Sequence, residues 1–225
     1  MKNQKLLSLF VGGVSFSVLA CHAAGGSPTA TEKRVYDVLI DNKPAGSYTL
    51  VLRQSSDGVL DVQSQAAVDF PFFLHHYKYS YNGHEVWKGD QLSAFDSTSN
   101  DDGKACTVHA AKQNDEMHVK TNGKDRLMPR DVVTSSYWRL PVQSAGKKEV
   151  QFLEVDTGEV FKAVFNRLGD ERLAIADKGE NCQHYKLSGD DKTELWYDGS
   201  QRLVRQSSKD QGHTTVIQLK TKTPQ

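Results

Sequence analysis

Residues 75–103, HHYKYSYNGHEVWKGDQLSAFDSTSNDDG, divide into two rows of alternate side chains. Tyr77, Tyr79, Tyr81, Gly83, Glu85 and Trp87 form one row; His76, Lys78, Ser80, Asn82, His84 and Val86 form the other. Successive side chains leave a strand on opposite faces, so a period of two held this long predicts a β-strand. One of its faces is aromatic and carries a single acid. Gly89-Asp90 breaks the run, and residues 91–98 are expected to return as the second arm of a hairpin. The aromatic row should turn inward, where it either lines a cavity or packs into a core.

The same alternation continues on both sides. Towards the N-terminus, residues 34–41 place Tyr36, Val38 and Ile40 on one side, 42–46 (NKPAG) read as a turn, and 47–54 align Tyr48, Leu50 and Leu52. Residues 59–69 form a third strand. Phe70-Pro71-Phe72-Phe73-Leu74 reads as an apolar corner, because proline cannot donate to a ladder; it plugs the core or forms an exposed lip. Towards the C-terminus, 105–112 and 117–121 pair around Asn114-Asp115. Residues 123–130, polar and containing Pro129, read as a loop, and 131–139 as a short helical turn capped by Asp131.

Seven short strands follow, at 150–155, 160–167, 172–176, 183–187, 193–197, 202–207 and 214–220. Turn signals separate them at Asp156-Thr157-Gly158, Gly169-Asp170, Gly189-Asp190, Asp198-Gly199 and Gln211-Gly212. With no long helical periodicity, the chain is expected to be all-β. A single antiparallel meander over 34–221 would form a half-barrel, barrel or spiral, with at most one or two short helical turns.

The first residues carry an address. Lys2 and Lys5 precede an apolar or small run over 6–20 that is too short to cross a bilayer comfortably, so 1–20 reads as an export signal. Val18-Leu19-Ala20-Cys21 resembles a lipobox, which would make Cys21 the lipidated N-terminus; cleavage near residue 23 is the alternative. Residues 21–33, rich in Ala, Gly, Ser, Thr and Pro, are expected to be a flexible tether. The expected location is the periplasm, or the outer membrane as a lipid-anchored periplasmic protein, with no membrane contact beyond that anchor.

Cys106 and Cys182 then remain as an even pair, and an oxidising compartment predicts a disulfide between them, two unpaired thiols being the alternative. The charges balance at 28 basic and 28 acidic residues. They are interspersed, with no basic block to follow a phosphate backbone, so nucleic acid is not an expected partner.

The motifs of common chemistries are missing. His84-Glu85 begins like H-E-x-x-H, but Lys88 stands at the fifth position and a strand does not bring residues four apart together. There is no G-x-S-x-G, glycine-rich phosphate loop or dinucleotide fingerprint, and the histidines are scattered, so no catalytic residue, metal or cofactor is assigned. Glu85 is the residue of interest: an acid on an aromatic face needs a hydrogen-bonding partner, from a tyrosine hydroxyl or Arg139. It either fixes the hairpin register or recognises a ligand. The candidate ligand-binding set is Tyr79, Tyr81, Glu85, Trp87, Tyr137, Trp138 and Trp196.

Four phrases carry a resemblance: VYDVLIDNKPAG at 35–46, YSYNGHEVWKGDQL at 79–92, SYWR at 136–139 and ELWYDGSQRLVR at 194–205. In that order they resemble an uncharacterised family of Gram-negative envelope β-proteins, a domain of unknown function, over about 34–220. The resemblance implies a β-spiral similar in shape to the periplasmic carriers of lipoproteins, and brings no catalytic residues. It favours a non-catalytic binding or chaperone-like module for lipid, lipidated protein or apolar peptide. An enzyme whose site lacks a linear motif, or a structural protein of envelope integrity, is the alternative.

Overall fold

The computed structural model describes residues 28–72, 75–142, 149–175, 178–210 and 212–224. The export signal, Cys21 and the first part of the expected tether lie outside them. Fifteen strands follow in order: β1 (Pro28–Ile40), β2 (Lys43–Ser55), β3 (Val59–Phe72), β4 (His75–Lys88), β5 (Gln91–Asp101), β6 (Lys104–Gln113), β7 (Glu116–Thr121), β8 (Lys124–Pro129), β9 (Val133–Thr134), β10 (Glu149–Leu153), β11 (Val160–Ile175), β12 (Lys178–Gly189), β13 (Glu194–Tyr197), β14 (Leu203–Asp210) and β15 (His213–Pro224). No α-helix occurs among the described residues.

All fifteen belong to one sheet, ordered β8-β7-β6-β5-β4-β3-β2-β1-β15-β14-β13-β12-β11-β10-β9. The strands of the two chain ends, β1 and β15, pair in the middle. The two edges, β8 and β9, are therefore neighbours in sequence. Residues 130–132 join them and can span no more than about 14 Å, so the sheet must curl until its edges approach. No ladder joins β8 to β9 among the described residues, and the barrel stays open along this seam. The short β9 pairs with β10 in parallel.

Turn chemistry sets the meander. Asp41 and Asn42 both have positive φ, as do Asp102-Gly103 and Asn122-Gly123. Two such residues in succession give the tight hairpin turn whose twist matches the strands it joins. At Gly46 an added Cβ would run into the carbonyl oxygen of Ala67, so only glycine lets β2 approach β3 there.

Several expectations need correction. The first strand begins at Pro28, so residues 28–33 pair with β2 instead of forming tether; the ladder offered by a long β2 outweighs a composition without hydrophobic alternation. The expected turn at 42–46 is Asp41-Asn42 alone, and Lys43 already pairs with Ile40. β3 continues through Pro71 because the β2 ladder has ended at Val68, which leaves no partner there for a missing N–H. The expected loop at 123–130 is the edge strand β8, with Pro129 at its last position. Residues 131–139 form no helical turn: the β-branched pair Val133-Thr134 joins β10, and Tyr137 adopts φ 48°. Gly169-Asp170 is no turn either; a bulge between Arg167 and Gly169 carries the two expected strands through as β11.

Nor is there a disulfide between Cys106 and Cys182. Cys106 lies on β6 opposite Ser99, and Cys182 on β12 opposite Glu171. In the sheet order β6 stands near one edge and β12 near the other, with the paired chain ends between them.

Candidate functional site

The aromatic row of β4 faces inward and runs the length of the barrel. Tyr77, Tyr81, Glu85 and Trp87 are buried, and Tyr79 is half-buried against the core. Ten residues of strand span about 33 Å, so Tyr77 and Trp87 mark two ends of one interior.

The Trp87 end is sealed. Glu85 is 0% exposed, and its Oε2 accepts hydrogen bonds from Trp87 Nε1 at 2.7 Å, Trp138 Nε1 at 3.1 Å and Thr134 Oγ1 at 3.1 Å. Indoles only donate, so this oxygen is the acceptor in each indole bond. Burial pushes the carboxyl above its ordinary value, against the lowering pull of the nearby Ser136 hydroxyl and of the hydrogen bonds from Trp87, Trp138 and Thr134. The indoles of Trp87 and Trp138 meet edge to face with centroids 6.0 Å apart. Arg139 lies over both rings, at 4.9 and 4.6 Å, and its guanidinium pairs with Asp90 at 3.3 Å.

The chain at 138–140 is held across this end through its own backbone groups. Arg34 donates to the Trp138 carbonyl at 2.7 Å, Leu203 N–H donates to the same oxygen at 3.3 Å, and Leu140 N–H donates to the Gln201 carbonyl at 3.0 Å. The remaining space here is about 20 Å³, room for little more than a water.

Above this seal lies an apolar cavity of about 180 Å³. Val38, Ile40, Tyr48, Val68, Tyr81 and Ile217 contribute to its wall. The Tyr81 ring lies back over Gly83, where an added Cβ would run into its hydroxyl and into Ser64 Oγ. The residues after β10 turn into the barrel and close one side: the carbonyls of Val155 and Asp156 accept hydrogen bonds from Ser97 and Ser99 on β5, both at 2.6 Å. Tyr79 donates to Asp156 Oδ2 at 3.3 Å.

The Tyr77 end is open. A mouth of about 570 Å³ shares Ile40, Ser135, Glu154, Asp156, Gln206 and Thr215 with the cavity below, so the two are continuous. Asp101, Glu154, Asp156, Glu159, Asp190, Asp191 and Asp210 line it, against Lys192, Lys209 and His213. Tyr137 donates to Asp191 Oδ2 at 2.8 Å.

The sequence-derived set is thus distributed. Tyr79 and Tyr81 line the cavity, Tyr137 lines the mouth, and Glu85, Trp87 and Trp138 form the seal. Trp196 stands apart. It stacks on His184 at 4.1 Å beneath Arg205 at 5.1 Å and donates to Glu171, while its neighbours Leu195 and Tyr197 point into the core. Arg139 is no partner of Glu85 by hydrogen bond; it covers the indoles that are. His84 bonds Asp61 on the face opposite Glu85, so the H-E pair does not converge.

Sequence reasoning missed the mouth carboxylates and the wall residues from β1, β3 and β15. One signal was present. Alternate turns of a meander fall at the same end of a barrel, and acids stand in the turns after β10 and β12 and at the last residue of β14.

Fold and site together define an open, meander-built β-barrel with one sealed end and an apolar interior. A family model described as "Domain of unknown function (DUF6134)" matches residues 36–220, and the chain belongs to that family. In structure it is similar to a β-barrel-like protein of domain of unknown function DUF1849 from Brucella abortus, known from a crystal structure. The TM-score is 0.62 at 8% identity, over 87% of this chain and 98% of that one, a likeness of fold alone. Among curated proteins none matches the sequence.

Proposed function

We propose that this protein is an exported cell-envelope binding module, chaperone-like and not catalytic, that shelters a lipid, a lipidated chain or an apolar peptide. The observation that carries the reading is the apolar cavity of about 180 Å³, reached from one open end and sealed at the other by Glu85 and its two indoles. Ligand sites are characteristically concave and apolar with a few placed polar groups. The charged and apolar run from Lys2 to Ala20 supports the export part of the reading.

One pair facing this space has the look of a nucleophile and a base. Ser135 Oγ donates to Glu154 Oε1 at 2.5 Å. The same Oγ accepts from Val155 N–H at 3.1 Å, and Ser135 N–H donates to the Leu153 carbonyl at 3.0 Å. Those two bonds give the serine a structural task, pinning β9 to the chain after β10. That task weighs against an enzyme.

Native mass spectrometry of protein purified from its own envelope tests the reading. A lipid- or peptide-sized adduct is expected, lost from a variant that still folds and in which Ala66, also on the cavity wall, is replaced (Ala66→Trp) to fill the space. Protein that carries no adduct and takes up no alkyl probe would overturn it.

A further inference from the structure

We infer that the ligand bears a positive charge at its exposed end: an alkyl or acyl chain terminating in an ammonium or guanidinium group. The inference rests on the binding reading above and adds the chemistry of the mouth.

The chain as a whole is neutral, with 28 basic and 28 acidic residues. At the mouth the balance is seven carboxylates to two lysines and one histidine, so acid is segregated where the apolar cavity opens. Asp190, Asp191 and Asp210 form no salt bridge with any described residue. Two buried groups also await a donor or an acceptor. Tyr77 lines the mouth, is 4% exposed, and its hydroxyl meets no hydrogen-bonding partner. Asp210 Oδ2 is likewise buried and unpartnered.

Buried polar atoms in folded proteins are nearly always satisfied, so such groups point to something that completes them. An ionised carboxylate only accepts, and a phenol hydroxyl can accept as well as donate. A group rich in N–H with a positive charge answers both. The tyrosines register the same field: Tyr77 and Tyr79 have hydroxyls held well above their ordinary range, by burial first and then by facing Asp101 and Asp156. A metal ion is a poorer occupant, because no group of three acids, histidines or cysteines among the described residues lies close enough to hold one.

The geometry assigns the parts of such a molecule. Its chain lies among Val38, Ile40, Val68 and Ile217, and its cationic end stays at the mouth between Asp156, Asp190 and Asp210. Low-dielectric walls below the carboxylates strengthen their attraction for that end, and salt weakens it.

The test is calorimetric titration of the mature protein with dodecylamine, dodecyl maltoside and dodecyl sulfate, each below its micellar concentration at pH 7. Dodecylammonium should bind at least about tenfold more tightly than the maltoside, and the sulfate most weakly. High salt should shrink that preference. The double variant Asp190→Asn, Asp210→Asn, with its fold checked by circular dichroism, should keep the maltoside affinity and lose most of the preference. Equal binding of all three probes would leave the cavity reading standing and overturn the charged-end inference. No binding by any probe would overturn both. Calcium displacing dodecylammonium at micromolar concentration would overturn it in favour of a metal site.

Discussion

Trp138 reaches across 53 residues to Glu85, donating its indole N–H to Oε2 at 3.1 Å. That bond ties the segment after β9 to the spine strand β4, and Trp87 completes it from the same strand at 2.7 Å. It closes one end of the barrel with a polar contact inside an aromatic cluster. Removing the acceptor strands both indole donors, while Thr134 keeps Ser136 as a partner.

Glu85→Ala should therefore cost at least about 3 kcal/mol, since each buried donor left unpaired carries its desolvation penalty. Urea unfolding measures it. A loss below about 1 kcal/mol would mean that water enters the seal and satisfies the indoles.

The pH dependence has a definite sign. Burial raises the Glu85 carboxyl above its ordinary value of 4.5. The folded protein then holds this proton more tightly than the unfolded chain, so the contribution to stability is full below about pH 4.5 and declines as pH rises through the folded-state value. A Glu85→Gln variant lacks that titration. Between about pH 4 and pH 7, wild type should lose stability relative to the variant, and a difference that is flat or of opposite sign excludes the assignment.

Gly83→Ala should displace the Tyr81 ring from its seat, at a cost of about 1–3 kcal/mol, and alter alkyl uptake. Gly199→Ala serves as the control, because a Cβ there meets nothing within 4 Å. Equal melting temperatures for the two variants would show that Tyr81 moves aside freely.

Trp87→Ala and Trp196→Ala should separate by readout. The first opens the sealed end and should cost about 3–5 kcal/mol. The second removes a ring stacked on His184 outside the cavity and should leave alkyl affinity unchanged. Titration with a dodecyl probe checks both, and a large affinity loss in the Trp196 variant would contradict its placement.

Peptide mapping without reduction should recover Cys106 and Cys182 on separate peptides. Burial pushes the Cys182 thiol up to about 11, so alkylation at pH 8 should be slow in the folded protein and fast in urea. A linked peptide would show that the strand order separates them less than it does here.

Much of the site was legible because strand periodicity is local. The row Tyr77, Tyr79, Tyr81, Glu85 and Trp87 could be read from spacing alone, and it faces inward as expected. Asn122-Gly123 is a strong hairpin signal that the reading of 123–130 as a loop, on its polarity and Pro129, passed over. Trp196 shows the opposite limit. Its row on β13 is the outer one, but His184 and Arg205 from the neighbouring strands cover it, and no pattern within one strand reveals such cover.

Sequence alone determined the all-β meander, its tight turns and the face that β4 presents, because each depends on residues within a few positions of one another. Tertiary structure alone decided that β1 pairs with β15, that Trp138 finds Glu85, and that acids from the loops after β10 and β12 and from the ends of β5 and β14 meet at one mouth. Those contacts depend on the curl of the sheet, which sums a small twist over fifteen strands. The two cysteines show the same limit: an even pair in the sequence, they fall on β6 and β12, which are not neighbours in the sheet, and form no disulfide.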